Sequence, residues 1–233
     1  MSIEILAYEE TRLGVLCLRR RELLSRPGMI VTEVTLDHEF LMSSYLKESE
    51  QALSRIGIEL SKKKALDHKL RVLIGGLGLG YTAAAALESD SVDSVEVVEF
   101  LPQVISWMNE GLVPLSNQLN SEPRLSINQG DIYQRLAAPA TQAFDLIAID
   151  VDHSPEDVLG EQSKGFYSVA GLEVAKQHLL PGGVLAVWSY AQSTPLLNNM
   201  REVFADVQIE SVTVMNDLIH EEQTDWLFFG SVR

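Results

Sequence analysis

An apolar run, Leu70-Arg-Val-Leu-Ile, leads directly into Gly75-Gly76-Leu77-Gly78-Leu79-Gly80, and an alanine-rich segment at 81–88 follows without interruption. A short buried strand that ends in glycines and turns into a helix lets the backbone approach a ligand closely, and it aims unpaired helix N–H groups at it. The segments that follow repeat the alternation. Val95-Glu-Val-Val-Glu reads as a strand, and Pro102 suits the first position of a helix. Residues 124–128 and 144–150 read as two more strands, 166–180 as a helix stopped by Pro181-Gly182-Gly183, and 184–188 as a fifth strand. A helix near 196–204 then precedes two β runs, 207–214 and 226–232, with no helix between them. Strands alternating with helices imply a parallel, doubly wound sheet, and the closing pair implies an antiparallel hairpin at its edge.

The first forty residues are different. They mix β-branched and apolar positions with turn signals such as Pro27-Gly28, and they predict a small antiparallel β appendage over residues 1–44. Leu46, Leu53, Ile56 and Leu60 recur at near-helical spacing and end at Lys62-Lys63-Lys64, which predicts a connecting helix within 45–68. Residues 69–233 then form the main domain. With 46% hydrophobic residues the chain has enough apolar surface for a large core. The single cysteine, Cys17, excludes an intrachain disulfide and suits a reducing compartment. The first residues lack the basic and apolar regions of a signal peptide, and no apolar run is long enough to span a bilayer, so the expected location is cytoplasmic, with no membrane partner. A formal charge of -15 disfavours a nucleic-acid partner and suits a cationic small molecule.

The glycine spacing is GxGxG, through Gly76, Gly78 and Gly80, not the GxGxxG of dinucleotide binders, which disfavours a dehydrogenase. Three acids follow in order at strand ends. Glu99 lies about 20 residues past the glycines, where ribose hydroxyls sit in nucleotide-binding α/β folds, and a carboxylate accepts from both hydroxyls. Asp131, in Gly130-Asp131, is placed to accept from an adenine amino group. Asp150 ends the fourth strand, in the crevice where open α/β sheets bind ligands, and can orient or deprotonate an amine nucleophile. Asp152 and His153 occupy the loop beyond it, and the histidine could serve as a base near neutral pH.

Together the stretches Val72-Leu-Ile-Gly-Gly-Leu-Gly-Leu-Gly, Val95-Glu-Val-Val-Glu-Phe, Gly130-Asp131, Phe144-Asp-Leu-Ile-Ala-Ile-Asp150, Phe166-Tyr167 and Leu180-Pro-Gly-Gly-Val-Leu-Ala-Val-Trp resemble the spermidine synthase-like branch of the class I S-adenosylmethionine-dependent transferases. The resemblance implies a Rossmann-like α/β methyltransferase fold, with a mainly parallel seven-stranded sheet and an edge hairpin. It implies S-adenosylmethionine or decarboxylated S-adenosylmethionine as cofactor, with no metal. It places the nucleoside against Gly75, Gly76, Gly78, Gly80, Glu99 and Asp131, and it gives Asp150 the role of assisting amine attack. Asp152, His153 and Tyr167 become candidate acceptor-binding residues, and a homodimer is expected.

The chain departs from that family at three points. Gly78 stands where spermidine synthases carry an acid inside the glycine loop, and His153 stands where their second loop acid falls. Tyr45 and Ser49-Glu50 are a poor counterpart of their Tyr-His-Glu segment. The expected function is therefore transfer of a methyl or aminopropyl group to a small acceptor. The alternatives are a true polyamine aminopropyltransferase, against which the missing distal acid argues, and a nucleoside-binding protein without turnover.

Overall fold

The computed structural model describes residues 3–63, 68–151, 154–157, 163, 165–217 and 220–233. Four strands, β1 (Ile3–Thr11), β2 (Gly14–Glu22), β3 (Ile30–Leu36) and β4 (Glu39–Ser43), form an antiparallel meander in the order β1-β2-β3-β4. Cross-strand apolar residues Leu16, Leu18 and Val34 are buried on one face of this sheet, whereas Ile3, Ile5 and Tyr8 of the β1 edge strand are exposed. The sheet matches the expected N-terminal β segment.

Helix α1 (Glu48–Lys62) has acids in its first turn and Lys62 in its last, the charge distribution that a helix dipole favours. It does more than connect. The helix packs on the second sheet, where Gly57 lets it come so close to β8 (Phe144–Ile149) that an added Cβ would lie 2.7 Å from Leu146.

The second sheet is laid down by β5 (Leu70–Gly75), α2 (Tyr81–Leu87), β6 (Val92–Glu99), α3 (Pro102–Asn109), α4 (Ser116–Asn120), β7 (Leu125–Gln129), α5 (Ile132–Ala137), β8, α6 (Val169–Lys176), β9 (Leu179–Ser189), α7 (Thr194–Val203), β10 (Asp206–Asn216) and β11 (Glu221–Ser231). The seven strands lie in the order β10-β11-β9-β8-β5-β6-β7. Strands β9, β8, β5, β6 and β7 pair in parallel, and β11 pairs antiparallel with both β9 and β10. This is the doubly wound sheet with an edge hairpin that the alternation predicts. Every residue of β8 is buried, and apart from Asp145 it reads as a continuous apolar run.

Two boundaries differ from the sequence reading. The helix expected over 166–180 covers only Val169–Lys176, opened by Ser168, whose side chain accepts from the Gly171 N–H. Pro181-Gly182-Gly183 lies inside β9 instead of before it: the pairing with β8 shifts register between Phe144 and Leu146, and the proline and glycines are absorbed in that irregularity.

Candidate active site

Strands β5, β6 and β8 end side by side, and their carboxyl ends carry the glycine loop, Glu99 and Asp150. Gly76 has φ +93, and a Cβ there would lie 2.1 Å from the Asp150 carbonyl oxygen. The Asp150 N–H in turn donates to the Gly75 carbonyl at 2.9 Å. Only glycine permits both that dihedral and that approach, so the loop can fold back beside Asp150. Gly78, at φ +51, faces open space beside Met42 of β4. Gly80 caps α2 in the left-handed region, and Gly75 packs on Ile132; neither is among the described residues lining the two cavities at Asp150.

Glu99 is no surface acid. It is buried, and its two oxygens accept backbone N–H bonds from Leu77 and Leu101, each 2.8 Å long. Burial pushes its carboxyl above the usual range despite those bonds and the nearby N–H groups of Phe100 and Gly78. The carboxylate therefore pins the glycine loop to the end of β6 in a fixed orientation. Asp131 also caps a helix. Its side chain, at the start of α5, accepts from Tyr133 N–H at 2.8 Å and Gln134 N–H at 3.2 Å. Both bonds use Oδ1, the capping work an aspartate commonly does at a helix start.

Gly76, Gly78, Glu99, Asp131 and Asp150 share one cavity of about 390 Å³, with apolar walls from Val98, Leu101 and Ile132 and a lid of Leu41 and Met42 from the N-terminal sheet. Tyr133 also lines it, and Tyr167 stands behind, its hydroxyl 2.8 Å from that of Tyr133. Tyr167 is buried and is not among the described residues lining this or the next cavity.

A second cavity, of about 730 Å³, shares Leu41, Met42, Gly78, Asp150 and Val151 with the first. Five carboxylates line it, Glu33, Glu50, Asp150, Asp157 and Asp225, and three of them come from distant parts of the chain: Glu50 from α1, Asp150 from the end of β8 and Asp225 from β11. Thr82 of α2 donates to Asp150 Oδ2 at 2.5 Å and is held in turn through its carbonyl by Ser54. Trp188 Nε1 donates to Ser49 Oγ at 3.0 Å, and Ser49 donates to Asp225 Oδ2 at 2.6 Å. The other Asp225 oxygen, Oδ1, and Glu50 Oε2 are buried without a hydrogen-bond partner.

Burial, opposed by the Thr82 bond and aided by the Asp225 charge, raises the Asp150 carboxyl from 3.8 to about 6. Burial and the charges of Asp150 and Asp225 push Glu50 well above its usual value, and burial raises Asp225 too. Buried carboxylate oxygens without donors are costly, so the group that completes this cluster carries positive charge or N–H donors. Among the described residues no group of three His, Cys, Asp or Glu side chains is arranged for a metal ion.

Glu50 and Asp225 are the residues the sequence reading undervalued or missed. Glu50 stood out only as a poor motif counterpart, and Asp225 lies 75 positions beyond Asp150, on a strand whose edge pairing brings it back across β9. Asp157 also lines the second cavity, beside Tyr190. The acids around it are thus more numerous than the loop after β8 suggests. Asp152 and His153 lie outside the described residues.

No family model and no curated protein matches this sequence. Among solved structures the chain is similar to a spermidine synthase in complex with the transition state analogue AdoDATO, at 16% identity and a TM-score of 0.76 over 98% of this chain and 73% of that one. It is also similar to spermidine synthase from Thermotoga maritima, at 15% identity and a TM-score of 0.73 over 98% and 72% of the two chains. Human methyltransferase-like protein 13 in complex with SAH aligns at 18% identity and a TM-score of 0.54 over 80% of each chain. At these identities the likeness is one of fold: a spermidine synthase-like, class I S-adenosylmethionine-dependent transferase fold.

Proposed function

From that fold, we propose that the chain is an S-adenosyl-nucleoside-dependent transferase that moves a methyl or aminopropyl group onto an amine-bearing small molecule. One observation carries the reading: two cavities meet at Gly78 and Asp150, one holding the fixed Glu99 carboxylate and the other the unpartnered oxygens of Glu50 and Asp225. The first cavity suits a nucleoside. Its walls are apolar, Glu99 presents immobilised oxygens to ribose hydroxyls, and the glycine loop leaves room where a side chain would intrude. Gly75 and Gly80 support this site from behind, Asp131 bounds it through the α5 cap, and Tyr167 holds Tyr133 in its wall.

When bound, the nucleoside supplies a sulfonium whose attached carbon is electrophilic. The protein's part is alignment and proton handling. Asp150, fixed by Thr82 on the wall common to both cavities, receives the acceptor's ammonium and takes up or orients a proton on the attacking nitrogen. With a pKa near 6 it is ionised at neutral pH yet a better proton acceptor than an ordinary aspartate. Glu50 and Asp225 hold the same cation or a second ammonium on one molecule.

The abundance of acids favours a second reading within the same chemistry, a polyamine-forming aminopropyltransferase, because each ammonium of a diamine needs a carboxylate. Incubation with S-adenosylmethionine or its decarboxylated form, plus a panel of amines, decides between them. S-adenosylhomocysteine as product identifies methyl transfer, and methylthioadenosine identifies aminopropyl transfer. Nucleoside binding without either product leaves a binding protein. A melting temperature that neither S-adenosylmethionine nor methylthioadenosine raises would overturn the reading altogether.

A further inference from the structure

The second cavity is acidic on one side only. On the side formed by the N-terminal sheet it is lined by Arg21 and Glu33, and Arg21 is the only lysine or arginine among its described lining residues. Glu33 is buried and saturated. It accepts from Arg21 Nε at 2.9 Å through both oxygens and meets Arg21 Nη2 at 2.6 Å. It also accepts from Arg19 Nε at 3.1 Å and Nη2 at 3.0 Å. Burial pushes the Glu33 carboxyl upward, but the bonds and charges of Arg21 and Arg19 outweigh it and hold the pKa below the usual range, so Glu33 stays ionised.

Two guanidinium groups on one carboxylate leave a net charge of about one positive unit. With its lone pairs occupied, Glu33 cannot receive an ammonium. Arg21 binds Glu33 through Nε and Nη2, so Nη1 is not engaged by that carboxylate. A buried carboxylate held by two half-buried arginines fixes the Arg21 guanidinium in place, which lowers the cost of binding an anion there.

We propose that Arg21 is a carboxylate-binding position, so that the ligand completing the second cavity is zwitterionic: its ammonium lies on Glu50, Asp150 and Asp225, and its carboxylate lies on Arg21. Met42 and Tyr45, which line the same cavity, face the carbon chain between the two charges. A simple diamine would set its distal ammonium against the net positive triad. This inference rests on the transferase reading for the identity of the site. The carboxylate has two possible sources, the methionyl end of S-adenosylmethionine or an ω-amino acid acceptor, and paired ligands separate them.

The test uses the full chain and calorimetry. S-adenosylmethionine is compared with decarboxylated S-adenosylmethionine, and 5-aminopentanoate with 1,5-diaminopentane in the presence of methylthioadenosine. In one of the two pairs the carboxylate-bearing member binds at least tenfold tighter to the wild type. Arg21→Gln removes that preference and Arg21→Lys restores part of it, while affinity for methylthioadenosine, which has no carboxylate, stays within twofold. The pair showing the preference identifies the source. No carboxylate preference in either pair of the wild type, or one that survives Arg21→Gln, overturns the proposal. Absence of methylthioadenosine binding by the wild type would instead count against the transferase reading. Should Arg21→Gln weaken methylthioadenosine binding as well, the wild-type comparison and Arg21→Lys still decide.

Discussion

Asp150→Asn should stabilise the ligand-free protein above pH 6 while removing its capacity to handle a proton. The shift of this carboxyl from 3.8 to about 6 means that the folded chain binds the proton more tightly than the unfolded chain does. Stability contributed by the protonated form is therefore lost as pH rises through that window, and above it the full cost is present. A difference of about 2.2 at 1.36 kcal/mol each gives about 3 kcal/mol, an upper bound because the three carboxylates share the effect. Asparagine has the same shape, and its carbonyl can still accept from Thr82 Oγ1. It also removes one of the charges that raise Glu50. For a chain of this length the gain corresponds to a melting temperature higher by about 6–12 °C at most. Urea unfolding of both proteins at pH 4, 6 and 7.5 should show a gap that opens with pH, with wild type the weaker at 7.5. A variant no more stable than wild type at pH 7.5, or a gap that does not change with pH, would refute the assignment of Asp150 as a half-buried, electrostatically penalised carboxylate.

Glu99→Gln should weaken nucleoside binding by about 1–3 kcal/mol through loss of charge-assisted acceptance from the ribose; undiminished affinity in calorimetry would remove Glu99 from the site. Gly76→Ala should lower stability by more than about 2 kcal/mol, since a Cβ 2.1 Å from the Asp150 carbonyl forces loop and strand apart and φ +93 is strained for alanine; denaturant midpoints equal to wild type would contradict the geometry. The free β1 edge, with Ile3 and Ile5 exposed, is a template for a second copy, so Ile5→Lys should convert a dimer to a monomer in light scattering, and an unchanged mass would argue against this surface.

The parallel sheet and its edge hairpin were legible because strands such as Phe144–Ile149 are apolar but for Asp145 and alternate with helical segments. That Gly76, Glu99 and Asp150 line one cavity was legible for the same reason: parallel strands deliver their carboxyl ends to one crevice. The acceptor side was not. Glu50 is an ordinary first-turn acid of a helix in sequence terms, and Asp225 one of several acids in Glu221-Glu222-Gln223-Thr224-Asp225. Only the antiparallel return of β11 beside β9, and the Trp188–Ser49–Asp225 chain across it, bring them to Asp150. Likewise Pro181-Gly182-Gly183 looked like punctuation, because sequence shows the breaker residues but not the register shift that accommodates them.

The two cavities also differ in when a ribosome would complete them. All described residues lining the first lie between Leu13 and Ser163, whereas the second waits for Trp188, Tyr190 and finally Asp225, 62 residues after Ser163. At about 5–20 residues per second that interval is roughly 3–12 s. A nascent chain thus has every described residue that lines the first cavity before Asp225 of the second has been synthesised. Strand β11, which carries Asp225, must then insert between β9 and β10, so the second cavity is closed only after the first has all its described residues.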